Sequence, residues 1–230
     1  SSRYWSLREK YNEAGELTYR EELLSNQYQG LYIGPGWGGS IKRVHYVDGK
    51  MHGDYREESE DGIGFVRGKY KHGVKVGQWV NKTRDMTLTE HFNQQGQLAG
   101  EQKEVLADGT VMRLEFYKND KLHGDYLRRN FDGQIQAKGR YVNGQREGAW
   151  QLHDESTYRE FKLWHGSFKG GREVGKWQAF SAKGHLLGLM QYDEQGRIQG
   201  KVYSFNEDGS LFQSDEYVDH QLHGQSVLYA

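Results

Sequence analysis

Three histidines share one local setting. His52, His123 and His223 each follow Met or Leu and precede Gly, and imidazole is a standard zinc ligand. A metal site needs its ligands to converge on one point. These three lie 71 and 100 residues apart in a chain that repeats between them, so the pattern reads as solvated turn histidines. Carboxylates are plentiful, with Glu57, Glu58, Glu60 and Asp61 in one short stretch. A pair of them could do acid–base work, but in turns such residues more often hydrogen-bond the backbone or face water. Gly34-Pro-Gly-Trp-Gly-Gly39 is glycine-rich, yet it lacks the closing Lys-Ser/Thr and the following helix of a phosphate loop. Gly-x-Ser-x-Gly and zinc-protease motifs are absent. So is cysteine, which removes disulfides and thiolate metal sites. The expectation is a chain that is not an enzyme, with no catalytic residues, no cofactor and no metal.

Composition narrows the partners. Net charge is −1 and there is no basic run, so nothing steers the chain to nucleic acid. Aromatic rows can stack single-stranded bases, but Lys69, Lys71 and Lys75 are interleaved with glycines and read as a solvated turn. No apolar run approaches the roughly 20 residues of a membrane span, and no signal peptide is recognisable. A start at Ser1-Ser2 without Met fits a chain cut just after a lipidated cysteine. That predicts a bacterial periplasmic lipoprotein, the anchor lying outside this sequence; a tag remnant on a cytoplasmic protein is the alternative.

The elements that position these residues follow from glycine and from repetition. Gly is 31 of 230 residues while Pro occurs once, at Pro35. Many tight turns with positive φ are implied, in a backbone that keeps its N–H donors for a ladder. Tyr46-Val-Asp-Gly-Lys-Met-His-Gly-Asp-Tyr55 recurs as Tyr117-Lys-Asn-Asp-Lys-Leu-His-Gly-Asp-Tyr126, with weaker copies at Tyr70 to Trp79, Tyr141 to Trp150 and Phe168 to Trp177. Gly falls seven residues after the leading aromatic (Gly53, Gly77, Gly124, Gly148, Gly175), and a second aromatic falls at nine (Tyr55, Trp79, Tyr126, Trp150, Trp177). Tyr217 with Gly224 keeps half the pattern; Phe92 with Gly100 and Tyr192 with Gly200 carry one inserted residue. Leu23, Gly30 and Tyr32 look like a decayed first copy. The leading positions are spaced by 22 to 27 residues, a repeat of about 24.

A second turn motif alternates with the first, as in Tyr11-Asn-Glu-Ala-Gly-Glu-Leu17 and Phe205-Asn-Glu-Asp-Gly-Ser-Leu211. Each period therefore holds two turns and two strands. Ile135, Ala137, Gly139 and Tyr141 alternate with Gln134, Gln136, Lys138 and Arg140, the period of a strand. A short helix fits only Tyr19 to Ser25, where a strand is preferred. Gly68, Gly139 and Gly166, two residues before an aromatic, leave room for a neighbouring ring over bare backbone. The predicted fold is all-β: an elongated, single-layer, twisted antiparallel meander of tandem hairpins with sixteen to eighteen strands. It is one domain, residues 1–230, with 1–45 as degenerate repeats or a cap and 46–230 as clear repeats.

The segments Tyr46 to Tyr55, Tyr117 to Tyr126, Tyr141 to Trp150 and Phe168 to Trp177 resemble the MORN-repeat family, in its bacterial variant. There an aromatic-x-x-Gly-Lys-x-x-Gly-x-aromatic unit alternates with an aromatic-x-x-Asn/Asp-Gly-x-Leu turn. The resemblance covers about residues 40–230. It implies a twisted sheet of successive hairpins and, for many bacterial members, an antitoxin or immunity role. Eukaryotic arrays act as scaffolds or junction proteins, some linked to membrane lipids. The implied function is non-catalytic binding of a protein toxin or effector, with a structural scaffold or envelope-associated protein as the alternative.

Departures from the repeat point to the binding site. Tyr28 to Ser40 holds the lone Pro and an isolated Trp37, and His153 to Trp164 lengthens its period to 27 residues. Rule-breaking marks either function or a worn cap. Trp, Tyr and Arg dominate binding hot spots, so Tyr28, Tyr32, Trp37 and Arg43 are the expected partner-binding residues.

Overall fold

The computed structural model describes residues 3–153 and 162–229. It contains twenty strands, and a single 3-10 turn at Trp37–Gly39 is the only helical element among the described residues. The pairings are antiparallel and the sheet is open, not closed into a barrel. No helix of the described residues is long and apolar enough to cross a membrane.

The chain divides into two compact units, Ser1–Val111 with Tyr117–Asp120 and Met112–Phe116 with Lys121–Ala230. The first holds β1 (Trp5–Tyr11), β2 (Leu17–Leu24), β3 (Gln27–Tyr28), β4 (Gly30–Pro35), β5 (Ile41–Val47), β6 (Lys50–Glu58), β7 (Phe65–Lys71), β8 (Val74–Lys82), β9 (Met86–Phe92) and β10 (Gly100–Leu106). β11 (Val111–Lys118) gives residues to both. The second holds β12 (Lys121–Arg129), β13 (Ile135–Val142), β14 (Gln145–His153), β15 (Lys162–Lys169), β16 (Arg172–Ser181), β17 (Leu186–Tyr192), β18 (Gly200–Phe205), β19 (Leu211–Val218) and β20 (Gln221–Leu228).

Twenty strands exceed the expected sixteen to eighteen. The first 45 residues, worn as a side-chain repeat, still form β1 to β4 and most of β5. A ladder is built from backbone N–H and C=O, so a hairpin survives the loss of its signature side chains. Tyr19 to Leu24 is strand, in β2. Of the irregular stretch His153 to Trp164, residues 154–161 lie outside the described residues.

Two kinds of turn alternate. One is a two-residue turn with both residues at positive φ: Asp48-Gly49, His72-Gly73, Asn119-Asp120, Asn143-Gly144, Gly170-Gly171 and Asp219-His220. This conformation matches the right-handed twist of the flanking strands, which is why Asn, Asp and Gly fill it. The other is longer and carries one glycine at φ of 77° to 85°, at Gly15, Gly133, Gly184 and Gly209. Asn130 shows its closure, with Oδ1 accepting the N–H groups of Asp132 and Gln134.

The recurrent glycine seven residues into each copy makes a bulge. Arg67 pairs with Val80 but Lys69 with Val76, so Gly77-Gln78-Trp79 stand opposite Gly68 alone. The same three-to-one arrangement sets Gly148-Ala149-Trp150 against Gly139 and Gly175-Lys176-Trp177 against Gly166. Positive φ at Gly77, Gly148 and Gly175 (67°, 68°, 68°) arches the strand there. Each indole then lies on the bare backbone opposite: a Cβ on Gly68, Gly139 or Gly166 would fall 2.2, 2.2 or 2.0 Å from the Cδ2 of Trp79, Trp150 or Trp177. The Nε1–H groups of Trp79 and Trp150 donate to the carbonyls of Lys69 and Arg140, both at 3.2 Å. All three indoles are buried. Burying about 150–250 Å² of Trp at roughly 25 cal/mol per Å² contributes about 4–6 kcal/mol gross per ring. In the second unit Trp150, Phe168 and Trp177 form one cluster with Tyr126, Tyr141, Leu152 and Met190 packed against it.

Candidate functional site

Two of the three histidines serve the turns. His52 Nδ1 accepts the N–H of His72, the first residue of the next two-residue turn, at 3.4 Å. His123 Nδ1 accepts the N–H of Asn143 in the same way at 3.3 Å. His223 is exposed. Among the described residues no three His, Asp or Glu side chains are grouped as metal ligands would be.

Trp37 sits at the tip of the β4–β5 connection, and the residue is 92% exposed. Its backbone is held firmly. The Trp37 N–H donates to Glu57 Oε1 at 2.7 Å, and its carbonyl accepts both the Ser40 hydroxyl at 2.8 Å and the Ser40 N–H at 3.2 Å. The Gly36 N–H closes on the Ser40 carbonyl at 2.8 Å. Glu57 also accepts the hydroxyls of Ser40 and Tyr55. Burial pushes the Glu57 carboxyl up, but the bonds from Ser40, Tyr55 and the Trp37 amide, with Lys42 nearby, outweigh it and hold the group below its ordinary 4.5. Burial, then the bond to Glu57, raises the Tyr55 phenol. The fixed backbone leaves little loop freedom at Trp37 to be lost on binding, while the unpacked indole keeps its rotamers.

The other three expected residues do not gather around that indole. Tyr28 stacks on Tyr46 with ring centroids 4.9 Å apart, and Tyr32 meets Tyr28 edge-on at 5.5 Å and Tyr46 at 6.2 Å. These rings extend the aromatic face that continues through Tyr55, Tyr70 and Trp79. Arg43 points to the opposite face. It pairs across the ladder with Ile33 and Arg56, whereas Tyr32 pairs with Val44. The period of two in a strand separates the four residues: one at the tip, two on one face, one on the other.

The face that carries Arg43 also holds Arg56 and Arg67, which the sequence reading did not single out. Register places Arg43 opposite Arg56, and Arg56 opposite Arg67, a straight row across β5, β6 and β7. One carboxylate, Glu58, serves all three: 3.7 Å from Arg43, bonded to Arg56, and 3.6 Å from Arg67. The Arg67 guanidinium also lies over the Phe65 ring at 4.2 Å. By contrast Arg20, further along the same row, pairs with two carboxylates, Glu9 at 2.6 Å and Glu22 at 3.5 Å. An open cleft lined by Gly39, Ile41, Arg43, Glu58, Glu60 and Gly62 joins the row to the base of the Trp37 loop. In the second unit a cleft of about 650 Å³ runs between the core rings, with Arg128, Arg146 and Glu173 among Trp164, Trp177 and Tyr192. No family model matches the sequence, and no curated protein is significantly similar to it.

Proposed function

We propose that this protein is a non-catalytic, protein-binding member of the MORN-like repeats, and that it neutralises a bacterial toxin or effector by direct contact. The observation that carries binding is Trp37, an exposed indole on a loop fixed by hydrogen bonds to Ser40 and Glu57. The resemblance of the repeats supplies the toxin or effector as partner. The test is co-purification with the product of the adjacent gene, followed by rescue of cells expressing that product. Trp37→Ala is expected to weaken the complex by about 2 kcal/mol or more, the hot-spot threshold, while the unfolding midpoint stays put. A lowered midpoint with unchanged affinity refutes the anchor role. A chain that binds no toxic product but assembles with envelope components is a scaffold instead.

A further inference from the structure

We infer that the Arg43–Arg56–Arg67 row is the docking surface for an acidic segment of the partner protein, a reading that rests on the binding function above and names the chemistry of what is bound. Like charges placed directly opposite across a ladder oppose pairing. Here three guanidiniums stand side by side and share Glu58, while their side chains remain 42%, 51% and 49% exposed. Three guanidiniums thus share one carboxylate where Arg20, in the same row, has two. A ligand carrying negative charge relieves that crowding.

The shape of the row selects the ligand. Neighbouring strands lie about 4.7–4.9 Å apart, so the row is roughly 10 Å long. The guanidiniums run in a line on an open face and do not converge on a point, so a single small anion reaches only part of them. An extended peptide sets alternate side chains about 6.6–6.8 Å apart, so two carboxylates of an acidic strand fit within the row. Arg meets a carboxylate through two parallel N–H donors, which fixes orientation as well as charge. The row ends beside the Trp37 loop through the cleft at Gly39 and Ile41, so one partner surface spans both.

The experiment titrates the full chain with a hexaglutamate peptide, and with hexalysine, pyrophosphate, oligo(dT) and phosphatidylserine vesicles as alternatives. Hexaglutamate is expected to bind in preference to all four, more weakly as salt rises, and at least tenfold more weakly to the Arg56→Gln/Arg67→Gln double variant. The matched Lys169→Gln/Lys183→Gln variant, altered at exposed lysines elsewhere, keeps the parent affinity. The unfolding midpoint of the arginine double variant stays level or rises, because repulsion is relieved. Preference for oligo(dT), vesicles or pyrophosphate overturns the inference, as does an equal loss in the lysine variant or a lowered midpoint in the arginine variant. A toxin complex that survives the arginine substitutions but is lost with Trp37→Ala overturns the row and leaves the binding function intact. Hexaglutamate binding at the row without any protein partner does the reverse.

Discussion

Gly139→Ala tests the packing of the repeat in a single methyl group. Gly139 carries no positive φ, so alanine suits its backbone, and by propensity alone the change stabilises a strand by about 0.5–1 kcal/mol. The opposing effect is steric. The new Cβ stands 2.2 Å from Cδ2 and 2.3 Å from Cε2 of Trp150, against an ordinary contact of about 3.5–4.0 Å. The indole must retreat by more than 1 Å, yet it is 2% exposed and bounded by Tyr126, Tyr141 and Phe168 at centroid distances of 5.8, 5.0 and 5.9 Å. Overpacking of this kind costs about 1–3 kcal/mol. If the ring is expelled, the loss approaches the roughly 3–5 kcal/mol of removing it. Set against the propensity gain, the net expectation is destabilisation of about 0.5–2 kcal/mol in urea unfolding followed by circular dichroism. In a Trp150→Leu background the same Gly139→Ala change should turn neutral or stabilising, a coupling that a double-mutant cycle reads directly. A Gly139→Ala protein as stable as the parent, or more so, refutes the account of the repeat glycine.

Trp177→Ala removes a buried indole and should lower stability by about 3–5 kcal/mol; a loss under about 0.5 kcal/mol takes Trp177 out of the structural set. Glu57 gives a pH signature. Its folded-state value lies below the ordinary 4.5, so its stabilising contribution is present above that value and is lost as pH falls through the lowered one. The stability gap between the parent and Glu57→Gln should therefore narrow on acidification beneath pH 4.5, and a gap that stays constant to pH 2 excludes Glu57 as the clamp of the Trp37 loop.

What the sequence revealed was what recurs at a fixed distance within one hairpin. Gly77 and Trp79, or Gly148 and Trp150, recur at seven and nine residues because the bulge and the ring it raises are three residues of one backbone. Ring over bare glycine was legible because Gly68 and Trp79 lie on the two strands of one hairpin whose length recurs. Rows across strands were not. Arg43 and Arg67 are 24 residues apart, one period of the repeat and each three residues before a leading aromatic, but Arg56 lies 13 and 11 residues from them across turns, and only the ladder shows that the three stand in one row. The four residues singled out around Trp37 scattered over both faces because neighbourhood in sequence is not neighbourhood on a pleated surface. Compensations were hidden too. In the two lengthened copies, Phe92 to Gly100 and Tyr192 to Gly200, Leu98 and Ile198 present N–H groups to the next two-residue turn. There glycine is replaced by Asp120 and His220, whose side chains accept those N–H groups at 2.7 and 3.3 Å. The insertions show in the sequence, but the reason for the missing glycines needs the ladder.

The three-to-one bulge also sets the arithmetic by which such a chain can change length. Its excess is two residues, an even number, so Val76 and Val80 on either side of Gly77-Gln78-Trp79 keep to one face of β8. A one-residue excess exchanges inside for outside along everything beyond it. Single-residue excesses do occur, at Thr18, Gln136, Leu187 and Phe212, but each lies within a few residues of a turn, where little strand remains to be inverted. Length variation between the copies is thus filtered by parity. Turns accept any number, strand interiors accept pairs, and a library of insertions into this chain should recover folded members in that pattern.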